Sequence, residues 1–61
     1  MEGFKNYWFQ DLESGEEFFV VEQNRKLAFA LAKHYFGEDA ELKCYGVVDE
    51  VEAELMGLDT Y

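Results

Sequence analysis

The chain has 61 residues and a formal net charge of −9, with 49% hydrophobic and 18% aromatic residues. That length holds one domain, residues 1–61, and the apolar content excludes a disordered chain in spite of the charge. The charge argues against direct binding of nucleic acid or of an anionic membrane surface, since both would be repelled.

Cys44 is the lone cysteine and His34 the lone histidine. An internal disulfide is therefore excluded, and the pair cannot complete a structural zinc site. Without either staple, so small a chain must rely on dense apolar packing or on self-association. Met1 is followed by Glu2, and no apolar run reaches 10 residues. This predicts neither a signal peptide nor a membrane span. A single thiol fits a reducing, cytoplasmic setting.

Phe4 to Gln10 (FKNYWFQ) is aromatic-rich and reads as a strand, with Tyr7 and Phe9 on one side and Trp8 on the other. Asp11 to Glu16 (DLESGE) contains Gly15 and suits a hairpin loop of about four or five residues. Glu17 to Glu22 (EFFVVE) is the return strand. Phe18 and Val20 share one face of it; Phe19 and Val21 share the other. Both faces of the hairpin are thus apolar, whereas a strand buried on one side alternates with polar residues. The second face needs cover, either from the C-terminal segment or from another molecule.

Asn24 to Gly37 (NRKLAFALAKHYFG) is the clearest element. Asn24 is a good N-cap. Leu27, Ala28, Leu31, Ala32 and Tyr35 form one stripe with Phe36 at its edge, while Lys26, Ala30, Lys33 and His34 lie opposite. Gly37 is expected as a left-handed C′ residue. Arg25 and Lys26 sit at the positive end of the helix dipole, which disfavours them locally.

Ala40 to Val48 (AELKCYGVV) alternates as a third strand, with Gly46 marking a bulge or an end. Asp49 with Glu52 resembles a capping box for a short acidic helix over Glu50 to Met56, closed by Gly57. Val51, Leu55 and Leu58 are expected to form its apolar side. The tail Asp59-Thr60-Tyr61 carries no strong signal.

The expected fold is α+β in the order ββαβα. A right-handed crossover through the long helix returns the third strand parallel to the second. Placing it beside the first gives a three-stranded, mainly antiparallel sheet of order 2-1-3, with the long helix on one face. Placing it beside the second strand is the alternative.

Charge is segregated along the chain. Residues 1–23 hold one base and six acids (−5), residues 24–37 three bases and no acid (+3), and residues 38–61 one base and eight acids (−7). The acids either keep an aromatic domain soluble or form a negative surface that attracts a basic partner.

Chemistry finds little footing. Cys44 alternates with core positions while His34 lies on the polar side of its helix, so a nucleophile–base pair is not expected. Paired carboxylates are plentiful, but acid–base work needs an apolar pocket that separates their pKa values. Asp49, Glu50, Glu52 and Glu54 lack the spacing of a calcium loop, and no phosphate-cradling glycine loop exists. Tyr7, Trp8, Phe9, Phe18 and Phe19 could stack bases, but only Lys5 and Lys43 accompany them. No catalytic residue, metal ligand or cofactor is assigned.

The stretches YWFQDLESGEEFFV, FGEDAELKCYG and GLDTY together resemble the small acidic proteins encoded on phages and conjugative elements of Gram-positive bacteria. The resemblance implies no activity and no functional residues. It does raise the idea of an inhibitor that imitates the charge of DNA, since small acidic proteins of such elements sometimes act this way.

The function expected is a non-enzymatic protein–protein interaction module, with a homodimer as one option. Its surface would comprise Trp8, Phe19 and Val21, with Tyr45 at the rim. The alternative is an acidic decoy for a nucleic-acid-binding protein, using Glu38, Asp39, Asp49, Glu50, Glu52 and Glu54.

Overall fold

A computed structural model describes residues 3–61 of the chain. Its elements are β1 (Lys5–Asp11), β2 (Glu17–Glu22), α1 (Arg25–Phe36), β3 (Leu42–Val48), α2 (Glu50–Met56) and β4 (Asp59–Thr60). The fold is α+β, with two helices and a four-stranded mixed sheet ordered β3-β1-β2-β4. The β1–β2 and β1–β3 pairings are antiparallel, as placing the third strand beside the first requires.

The expected three-stranded sheet and ββαβα layout need correction, because the tail adds β4 parallel to β2. The Tyr61 N–H donates to the Phe19 carbonyl at 2.8 Å, and the Val21 N–H donates to the Tyr61 carbonyl at 3.1 Å. Without this strand, β2 would present a row of unpaired backbone groups. Backbone alone satisfies them, so so short a strand leaves no side-chain pattern.

The core lies between α1 and one face of the sheet. Tyr7, Phe9, Phe18 and Val20 meet Ala28 and Ala32 of α1. The alanines, both 0% exposed, bring the helix close to the strands, and aromatic rings fill the remaining space. Phe29 meets Phe9 edge-on at 4.8 Å between centroids, and Phe36 stacks on Phe18 at 4.3 Å. The inner stripe is therefore rotated from the expected one: Phe29 turns inward, while Leu27 and Tyr35 are exposed. The Arg25 guanidinium lies 5.6 Å above the Phe29 ring, a local role for one of the two cations at the helix start.

Capping follows the sequence at the helix starts. Asn24 Oδ1 accepts from the Leu27 N–H at 2.9 Å, and Asp49 Oδ1 from the Glu52 N–H at 2.8 Å. Gly57 ends α2 in the left-handed conformation. Gly37, expected there too, instead has φ +108° with ψ 146° and leads into a turn over Glu38 and Asp39. β3 starts at Leu42 rather than Ala40, whose N–H donates to the Gly37 carbonyl in the intervening turn. Against β1 the register slips between Trp8 and Phe9, leaving Tyr45 as the extra residue beside Gly46 at φ +125°.

Strand order fixes where α2 lies. β2 and β3 both run antiparallel to β1, and β4 runs parallel to β2, so β2, β3 and β4 share one direction. The α1 connection moves across the sheet from β2 to the β3 edge. The α2 connection moves back from β3 to the opposite edge at β4. Right-handed crossovers travelling in opposite senses place their helices on opposite faces. α1 covers one face and α2 crosses the other.

Candidate interaction surface

The second face carries Trp8 of β1, Phe19 and Val21 of β2, and Tyr45 and Val48 of β3. Phe19 was expected at a docking surface, and the structure corrects this: it is 1% exposed. It lies opposite Trp8 in the ladder and outside the cluster under α1. α2 passes over this face, with Ala53 and Met56 half-buried, and Leu58 half-buried after it. Val51 and Leu55, expected on the inner side of α2 with Leu58, point away, 70% and 82% exposed. Trp8 and Val21 are half-buried and Tyr45 is exposed. The chain thus shelters the centre of its own second face and leaves two corners open. About seven residues of helix, some 10 Å long, cannot span a four-stranded sheet in both directions.

The first corner is an ordered aromatic cluster. The Trp8 and Tyr45 rings lie 4.7 Å apart. The Trp8 indole N–H donates to Glu17 Oε1 at 3.0 Å, and the Tyr45 hydroxyl donates to Gln10 Oε1. Lys43 Nζ sits 5.0 Å from the centre of the Tyr45 ring. The bulge at Tyr45–Gly46 turns Tyr45 over Trp8, and Gly46 leaves no side chain opposite the indole. Every polar tip in this cluster has a partner, so the rings are held in place rather than free to turn.

The second corner lies where β1 begins and β3 ends. Phe4, Asn6, Val21, Val47 and Val48 line a shallow depression of about 340 Å³, with Lys5, Asp49 and Glu50 around it. Val47 is 55% exposed. Glu50 opens α2, whose outer side carries the exposed Val51 and Leu55, four residues apart. Reading Val51 and Leu55 as a core stripe hid this flank. The signal in the sequence was the four-residue spacing of Val51 and Leu55 among acids.

The six acids once grouped together are all exposed but are not one surface. Glu38 and Asp39 precede β3, whereas Asp49, Glu50, Glu52 and Glu54 follow it. The seven-residue strand between them separates the sets by roughly 20 Å. Asp49 caps α2, and Glu50 and Glu52 occupy its first turn, where negative charge stabilises the dipole.

His34 is exposed on the outer side of α1, beside a second shallow hollow with Ala30 and Lys33. Cys44 is a half-buried free thiol packed against the core cluster. Among the described residues no three His, Cys, Asp or Glu side chains converge as metal ligands, and no helix is long and apolar enough to cross a membrane. At the far edge, burial raises the pKa of the Tyr61 phenol above its ordinary value, and the Glu16 and Asp59 carboxylates add to the effect. Compared with family models, curated proteins and solved structures, the chain matches none of them.

Proposed function

We propose that the chain is a non-enzymatic protein–protein interaction module that docks through the open corners of its second sheet face and the outer side of α2. The observation that carries this reading is the exposure of three large apolar side chains, Tyr45 on the second face and Val51 and Leu55 on the outer side of α2. Tyr45, Val51 and Leu55 are 45%, 70% and 82% exposed. Apolar surface concentrated in this way on a small domain marks a contact site more often than chance exposure does. A cytoplasmic setting and an origin on a mobile element belong to the same proposal, resting on the lone thiol and on the resemblance. A homodimer through α2 is disfavoured, because it would set Glu50, Glu52 and Glu54 of one copy against those of the other.

Affinity capture with the immobilised chain tests the reading. A partner held by the parent chain should be released by Tyr45→Ser with Leu55→Ser. It should be retained by Leu12→Ser, a change at a 51% exposed residue of the hairpin loop. A partner retained equally by all three folded chains would overturn the reading.

A second reading, an acidic decoy for a nucleic-acid-binding protein, draws on the exposed Glu50, Glu52 and Glu54, which have no base among them. It stands second because α2 already uses Asp49, Glu50 and Glu52 for its own stability. Its mark is steep salt dependence of partner binding. Binding that ignores both salt and Glu50→Lys/Glu54→Lys would reject it.

A further inference from the structure

We infer that the depression where β1 begins and β3 ends receives an apolar side chain from a cationic, amphipathic segment of another protein. This rests on the interaction-module reading and goes beyond it by naming the chemistry of the partner.

The size of the hollow comes first. At about 340 Å³ and open to solvent, it lies at the small end of the range of about 300–1,000 Å³ that encloses free ligands. It suits one or two side chains presented by a peptide. Its apolar lining comes from Phe4, Val21 and Val48, while Val47, paired with Tyr7 on the α1 face, borders it only at the β3 edge. Val51, next in sequence to the rim residue Glu50, and Leu55 add exposed apolar surface on the outer side of α2, so an occupant that reaches both must bring an apolar side of its own. A segment that displays apolar residues on one side does this at least cost in ordering.

Charge selects the rest. Asp49 and Glu50 stand on the rim against the single Lys5, and Glu52 and Glu54 follow, exposed. The Asp49 carboxylate accepts the Glu52 N–H through Oδ1. Its remaining lone pairs can take a cation without releasing the cap. Arg25 and Lys26 open α1 at the same end of the sheet, but α1 packs on the opposite face. A chain of net charge −9 attracts a cationic segment from a distance and repels nucleic acid, anionic lipid and further copies of itself.

The test uses the full chain, labelled with ¹⁵N, at near-physiological salt, with three synthetic helical peptides of equal length. One carries leucines on one side and lysines on the other. In the second, serines replace the leucines; in the third, glutamates replace the lysines. The leucine–lysine peptide should shift the amides of Val47 to Leu55 and of Val21. The serine–lysine peptide should bind at least about tenfold more weakly, and the leucine–glutamate peptide should not bind. Glu50→Gln/Glu54→Gln, which keeps the helix, should weaken the first peptide about fivefold, as two partly screened ion pairs would.

Equal binding of the serine–lysine peptide would overturn the inference, because charge alone would suffice. So would shifts confined to α1, or no binding by any peptide. Shifts confined to the Trp8–Tyr45 corner would overturn the inference while leaving the interaction-module reading standing. Self-association in sedimentation, abolished by Leu55→Ser, would place a second copy in the groove and equally overturn it.

Discussion

Replacing Phe19 by alanine separates a covered second face from a bare one. Phe19 is 1% exposed and is among the largest fully buried side chains, with Phe9, Phe18 and Val20. Truncating a buried Phe removes its transfer free energy and leaves a cavity, at a cost of about 3–5 kcal/mol. A chain of 61 residues has a total stability of about 3–9 kcal/mol. Phe19→Ala should therefore remove most or all of it. Urea titration monitored by Trp8 emission, with far-UV circular dichroism as a second probe, reads the effect. At a slope of about 1 kcal/mol per molar urea, the midpoint should fall by about 3 M, or the chain should be unfolded without urea. Phe19→Leu, which keeps most of the volume, should stay within about 1.5 kcal/mol and supply a measurable transition. Leu55→Ala, at a residue 82% exposed, should change stability by less than about 0.5 kcal/mol. A Phe19→Ala loss below about 1 kcal/mol would mean that α2 does not shelter this face, and the crossover argument would fail with it.

Three further outcomes follow from local geometry. Asn24→Ala should lower stability by about 1 kcal/mol in the same titration, because the Leu27 N–H loses its 2.9 Å partner; Asn24→Asp should cost nothing and gain slightly from the dipole. Gly46→Ala should cost about 1–3 kcal/mol from backbone strain alone, since φ is +125° and an added Cβ would meet nothing within 4 Å; an unchanged urea midpoint would remove the bulge from the account. The raised pKa of Tyr61 means the folded chain holds this proton more tightly than the unfolded one. Its contribution is then complete below the unfolded value of about 10 and is lost as pH rises through the folded value. Urea midpoints measured between about pH 9 and 11 should fall, and Tyr61→Phe should flatten the part of that fall that Tyr61 causes.

The hairpin, α1 and the N-caps of both helices were legible because local chemistry decides them. Asn24 and Asp49 carry side-chain acceptors at the helix starts, and the run EFFVVE fits a pleated strand in almost any context. What escaped was set at longer range. β4 is held by backbone bonds to Phe19 and Val21 and needs no recognisable residues. The inner side of α2 was misread because a helix of about two turns offers two apolar sides. Val51 with Leu55 is the greasier one, yet Ala53 with Met56 faces the sheet. The path from the β3 edge to the β4 edge makes that choice, and hydrophobicity does not. The same path explains Phe19. Its apolar character was plain, but whether it met water depended on where the second crossover ran. The rotation of α1 has a similar cause: Phe29 pairs edge-on with Phe9, and that contact turns the stripe away from Leu27 and Tyr35.

The most direct test of the docking account is the dissociation constant of the leucine–lysine peptide for the parent chain and for the Val51→Ser/Leu55→Ser chain, measured by calorimetry at equal salt. Both substitutions fall on residues at least 70% exposed, so the fold should be untouched. Binding at least about tenfold weaker in the doubly substituted chain is the expected result; equal affinity for the two chains would contradict it.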